Sequence, residues 1–266
     1  MNDAGVKPPE SRVAFPASWW TRGAWLLFGI YIVYAGSQLE FTPARVAAGF
    51  EHGAKFVARL FPPDFRRWEL LLKGMTESLQ IAVVASALGT LISLPLSLAA
   101  ARNLMPAWAS WPARAVMVVC RSFHPVIVAI LFVKAVGFGA LAGILALTVA
   151  SVGFLGKLMT EAIEEISLKQ VEAVRATGAP FFSVVAYAVV PQVFARFIGF
   201  VSYETDANLR NSTMVGIVGA GGIGGTLFAA FQRFDYDFVC AIVLTIIGLI
   251  MLGEVLTARV KKVFRV

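Results

Sequence analysis

The chain has 266 residues, of which 58% are hydrophobic and 15% charged, with a mean hydropathy of +0.77; an average soluble domain is roughly one-quarter charged. That balance excludes an ordinary soluble domain. The net charge of +7 comes from lysines and arginines scattered along the ends of apolar runs, which excludes the single basic patch of a nucleic-acid binder.

Residues 1–20 are polar and contain prolines, and read as a cytoplasmic N-terminal tail with no assigned function. The first apolar run, residues 25–39, follows Arg12 and Arg22 and lacks a small-residue cleavage site, so it is expected to be an uncleaved signal-anchor with Trp19, Trp20 and Trp25 in the interfacial belt. Residues 21–75 combine this span with an external amphipathic segment. Pro62 and Pro63 break that segment, and a short interfacial helix is expected from residues 66 to 74. Further spans are expected over residues 81–101, 115–136, 141–159, 184–203 and 238–256, each near the roughly 20 residues that cross about 30 Å of hydrocarbon as a helix. The predicted fold is thus all-α, a polytopic membrane protein with six transmembrane helices. Its membrane domain occupies residues 76–260, and residues 261–266 form a cytoplasmic C-terminal tail. Pro95, Pro125 and Pro191 fall within spans and are expected to kink them. With both termini inside, Arg102, Arg114, Lys157, Lys169 and Arg175 join the inner charge excess, blunted by Arg45, Lys55, Arg59, Arg66, Arg67 and Lys73 outside. Cys120 and Cys240 lie in apolar runs and read as small buried residues.

Between the fourth and fifth spans lies a polar module, Glu172, Ala173, Val174, Arg175, Ala176, Thr177 and Gly178, with Pro191 downstream. Ser167 and Gln170 have the spacing of a capping box, Gly178 ends the helix, and a second short helix is expected from Pro180. Ala173 and Ala176 offer small side chains for close approach, and Glu172 and Arg175 offer charges. The bland reading is a connecting loop. The spacing, however, resembles the coupling loop of binding-protein-dependent ABC-transporter permeases. The resemblance assigns ATPase coupling to Glu172 and Gly178, with Val174 standing where the family has alanine; Ala173 and Arg175 join them as coupling candidates through the small side chain and the charge they offer a partner.

A second constellation runs Asp206, Ala207, Asn208, Leu209, Arg210, Asn211, Ser212, Thr213 and then, from Gly216, into Gly219, Ala220, Gly221, Gly222, Ile223 and Gly224. With Gly137–Phe138–Gly139 and Glu161 to Glu165 upstream, it is similar to the permeases of phosphonate and phosphite importers over residues 76–260. The glycine run also fits G-x-G-x-x-G, but it stands between membrane spans and not between the strand and helix of a dinucleotide fold. Gly219, Gly221, Gly222 and Gly224, together with Asp206 and Pro191, are expected to be structural or gating residues. Charges within spans cost about 2.5–3.5 kcal/mol at a helix centre. Arg121, Arg196 and Arg210 are therefore candidates for an anion pathway, with Asn208, Ser212 and Thr213 as hydrogen-bonding partners. Structural pairing is the alternative: Arg210 with Asp206, four residues earlier, and Arg196 with Glu204. His124 reads as a satisfied histidine beside Pro125.

The resemblance implies an ABC importer for phosphonate, phosphite or a related reduced-phosphorus oxyanion, in a bacterial inner membrane. This chain would be its permease, a homodimer in membrane lipid with two ATPase subunits and a periplasmic solute-binding protein, and with no nucleic-acid partner. The chain itself would hold no cofactor or metal, ATP and Mg being bound by the ATPase subunits. A secondary transporter or channel would need no ATPase. A membrane enzyme lacks support, since the two histidines form no H-x-x-x-H pair.

Overall fold

Residues whose apolar runs are too long for a soluble core form helices throughout; the computed structural model describes residues 19–39 and 42–264, and no strand occurs among them. The chain falls into two compact units that divide between Ala58 and Arg59. The first contains α1, Trp19–Gln38, and nearly all of α2, Pro43–Leu60. Helix α1 is apolar and exposed on all sides. Helix α2 places Val46, Phe50 and Val57 on one side and Glu51, Lys55 and Arg59 on the other. The expected helix at residues 66–74 is instead mostly the first turns of a much longer helix, because Pro63 lies far enough upstream to let the pattern continue unbroken.

The second unit begins its helical course with α3, Trp68–Ala100, whose 33 residues span about 50 Å. It continues through α4, Ala107–Ser122, α5, Pro125–Val136, and α6, Ala140–Glu164. A buried series of small residues, including Gly74, Ser78, Ala85, Ser86, Gly89, Ser93 and Ser97, lines α3. Such residues let helix backbones approach closely where lipid supplies no hydrophobic drive; a Cβ on Gly89 would overlap that of Ser151 on α6.

The expected third span, residues 115–136, is not one straight element: α4 and α5 meet at 91° across Phe123 and His124. Pro125 supplies the reason. It disfavours helix at the preceding residue, so His124 is extended at φ −66°, ψ 139°, and its ring accepts a hydrogen bond from the Val126 N–H at 3.3 Å.

After α6 come α7, Leu168–Ala176, α8, Phe181–Val184, a π-helical turn over Val185–Val189, and α9, Val190–Ile217. The Val190 N–H reaches five residues back to Val185 O, and Pro191, with no N–H of its own, lies just beyond. The expected span at 184–203 therefore extends to Ile217, and the polar series from Asp206 to Thr213 lies inside the helix rather than after it. Helix α10, Ile223–Gln232, and α11, Tyr236–Phe264, complete the bundle. Among the described residues, four stretches are long and apolar enough to cross a membrane: α3, α6, Phe181–Ile217 and Tyr236–Val263. The total reaches six if α1 with α2 and α4 with α5 each count as one broken span.

Candidate coupling and translocation sites

One end of the bundle is tied together by charge. The Arg102 N–H donates to Glu164 Oε1 at 2.8 Å, and Arg114 donates to the same oxygen at 2.6 Å and to Ala100 O at 3.0 Å. Arg196 pairs with Glu165 at 2.6 Å. This sequence-predicted pathway candidate thus lies in the belt of ion pairs beside α7, and its partner is Glu165, not Glu204.

Helix α7 stands on this end with two unlike faces. Val171 is buried and Val174 half-buried in a cluster formed by Ala162, Ile163, Ile166, Val184, Ala188 and Val189. Glu172, Ala173, Arg175 and Ala176 are exposed on the other face. The helix is thus backed by apolar packing while its small and charged residues remain free. Gly178 closes it at φ +77°, a backbone that favours glycine, and its N–H donates to Arg175 O at 3.0 Å. The expected capping box is absent. The Ser167 side chain makes no capping bond; its backbone N–H donates to Gln192 Oε1 at 2.9 Å, and Gln192 Nε2 donates to Ala188 O at 2.6 Å. Gln192, beside Pro191, therefore ties the start of the α7 segment to the start of α9.

Farther into the bundle, Glu204, Asn208 and Ser212 repeat at four-residue intervals on the buried side of α9. Asn208 is 0% exposed and donates to Ser86 Oγ at 2.9 Å and Ser151 Oγ at 2.8 Å. Ser151 donates in turn to Glu204 Oε1 at 2.6 Å. Three helices, α3, α6 and α9, are thereby cross-braced by one polar cluster, whose Asn208 Oδ1 has no partner among the described residues. Ser212 donates to Leu209 O of its own helix, and Thr213 is half-buried. Ser151 was not among the candidates drawn from the sequence and Glu204 entered only as an alternative partner for Arg196, although acidic and amide side chains four apart in an apolar span are a readable signal.

Arg210 pairs with Asp206 at 2.6 Å and has Glu254 of α11 at 3.9 Å. Arg121 differs. Its stem lies against α6 at Gly153, where a Cβ would sit 2.6 Å from the Arg121 Cγ, and it forms no ion pair among the described residues. It lines a cavity of about 310 Å³ between α4 and α6.

At the opposite end, Gly219, Gly221 and Gly222 form an elbow between α9 and α10 with φ of +90°, +83° and +79°. Gly221 has a second constraint, since a Cβ would lie 2.7 Å from Ala140 N, while a Cβ on Gly224 would collide with Thr213 O. The Gly139 N–H donates to Gly219 O at 3.0 Å and the Ile223 N–H to Ser78 Oγ at 2.9 Å. The elbow is therefore irregular backbone walled by protein, the condition under which it persists at membrane depth.

The family described as the binding-protein-dependent transport system inner membrane component matches residues 93–265. The phosphite transport system permease protein PtxC of Stutzerimonas stutzeri is 33% identical over 270 residues, 99% of this chain and 98% of its own. The phosphate-import permease protein PhnE of Mycolicibacterium smegmatis is 39% identical over 242 residues, 88% of this chain but 46% of its own, so this chain spans less than half of that relative. Among solved structures, a chain of the inward-facing MetNI methionine ABC transporter has a TM-score of 0.67 at 22% identity, covering 76% of this chain and 99% of that one. The likeness to MetNI is one of fold.

Proposed function

The chain belongs to the family of inner membrane components of binding-protein-dependent transport systems, and on that premise we propose that it is the permease of an ATP-driven importer for phosphonate, phosphite or a related phosphorus oxyanion. As a multi-pass translocation component it carries a solute; ATP hydrolysis, with its Mg, belongs to two separate ATPase subunits. A periplasmic solute-binding protein delivers the anion. One coupling helix per chain and two ATPase subunits make the permease a homodimer, with both termini and α7 cytoplasmic.

The observation that carries this reading is α7, fixed on one face by Val171 and Val174 and open on the other at Glu172, Ala173 and Arg175. Such a helix transmits a push from a docked partner into the start of α9 through Gln192. Gly178 gives the turn its freedom. ATP binding closes the ATPases and drives the paired bundles outward-facing; hydrolysis resets them, so the solute meets alternating access. Arg121 supplies positive charge, unpaired among the described residues, near the route, Arg210 offers its own only in competition with Asp206, and Thr213 adds a hydroxyl on α9, while Arg196 serves the ion-pair belt through Glu165. Asn208 and Ser212 hold the wall of the route from within, Asp206 orients Arg210, and Gly219, Gly221, Gly222, Gly224 and Pro191 shape the hinges.

The test is ATP-dependent uptake by proteoliposomes that hold the permease, its ATPase and its binding protein. Phosphite, methylphosphonate, hypophosphite and phosphate form the panel, with calorimetry on the binding protein alone. Saturable uptake of one or more phosphorus anions is expected. Uptake without ATPase or binding protein would point to a secondary transporter or channel, and binding of none of the panel would remove the substrate assignment.

A further inference from the structure

We propose that the cavity between α4 and α6, lined by Arg114, Met117, Arg121, Lys157, Thr160 and Glu161, is a binding site for a tetrahedral phosphorus oxyanion, held by Arg121 and Lys157. The identity of the free anion rests on the importer function above; the existence of the site does not.

Of the three arginines offered as pathway candidates, two are neutralised within the chain. Arg196 has Glu165 and Arg210 has Asp206, each at 2.6 Å. Arg121 has no acidic partner among the described residues. In the same cavity Arg114 is held by Glu164 at 2.6 Å, and Lys157 by Glu161 at 3.3 Å, so Arg121 leaves the wall with one excess positive charge. The Arg121 stem is fixed against Gly153, eleven residues before the end of α6 at Glu164. At 1.5 Å per residue, that is about 16 Å along α6 from the belt of ion pairs, well inside a 25-residue helix long and apolar enough to cross a membrane.

A guanidinium at that depth cannot be left against acyl chains. The face that bears Arg121, Lys157 and Glu161 therefore meets water or another protein chain, and a charge there recruits an anion. The cavity of about 310 Å³ stands at the small end of ligand pockets, suited to a small ion with some of its water. A planar guanidinium binds two oxygens of a phosphoryl group side by side, and a third oxygen remains for the Lys157 ammonium on the neighbouring helix; a carboxylate lacks that third oxygen.

The same chemistry is offered by a free anion in transit and by the phosphate of a lipid headgroup. The assembled permease–ATPase complex is therefore placed in nanodiscs of two compositions. In phosphatidylcholine alone, equilibrium dialysis measures bound radiolabelled orthophosphate, with phosphite as competitor. In phosphatidylglycerol-containing discs, native mass spectrometry counts retained phosphatidylglycerol. Arg121→Gln should weaken one of these by about tenfold or more, the loss of a charge-assisted contact, and Arg121→Lys should recover part of it. A loss in the first arm identifies a free anion, and a loss in the second a headgroup. Unchanged binding in both arms, by an Arg121→Gln complex that assembles and melts like the parent, overturns the site. If Arg121→Gln fails to assemble, Lys157→Gln, at an exposed position, decides on the same readouts. Failure of the importer function would look different: Arg121-dependent phosphate binding would persist without ATP-driven uptake.

Discussion

Replacing Asn208 by alanine removes the brace between α3, α6 and α9, and the structure sets the size of the effect. Two interhelical hydrogen bonds, of 2.9 and 2.8 Å, disappear; such bonds contribute about 0.6 kcal/mol each on average in membrane bundles and up to about 1.7. The vacated volume at a position with 0% exposure adds on the order of 1 kcal/mol. Against this, Asn208 Oδ1 is buried without a partner, and its removal returns about 1 kcal/mol. The net loss is about 1–3 kcal/mol, a fall in melting temperature of roughly 3–10 °C for a chain of this size. Thermal unfolding of the purified permease in detergent, followed by tryptophan fluorescence, measures it. A cycle with Ser151→Ala should give a coupling of about 0.6–1.7 kcal/mol for the pair. An Asn208→Ala protein that melts with the parent yet no longer transports would refute the brace and make Asn208 a solute contact.

Glu172→Lys reverses the charge on the open face of α7 without touching Val171, so the permease should insert and melt normally while uptake and substrate-stimulated ATPase activity fall together; full uptake by a well-expressed variant would defeat the docking role. Gly178→Pro cannot adopt φ +77° and also loses the N–H that donates to Arg175 O, so it should uncouple more severely. At Arg210, glutamine leaves the half-buried Asp206 without its partner and should cost about 1–3 kcal/mol, whereas Arg210→Lys should cost less. If the pair is a strut, Asp206→Asn with Arg210→Gln restores both melting temperature and uptake; if Arg210 serves the anion, the melting temperature recovers and uptake stays low.

Local pattern carried a large part of this protein. The apolar runs required a helical membrane bundle because only closed backbone hydrogen bonding survives in hydrocarbon. The α7 module and the elbow glycines were legible because turns and short helices obey rules of a few residues, and Asp206 and Arg210 because a four-residue interval suffices to pair them. What lay beyond local pattern was decided by packing between distant segments. Ser167 has a capping residue's identity, yet Gln192, twenty-five positions on, takes its N–H. Arg196 turns to Glu165 and not to Glu204, since Glu204 faces inward to Ser151. Asn208 became a brace when α3 and α6 closed on each other at Gly89 and Ser151. Arg121 stands out only by comparison with its paired counterparts, because whether a charge is neutralised depends on which acids the fold brings within reach, and no spacing along one chain encodes that distance.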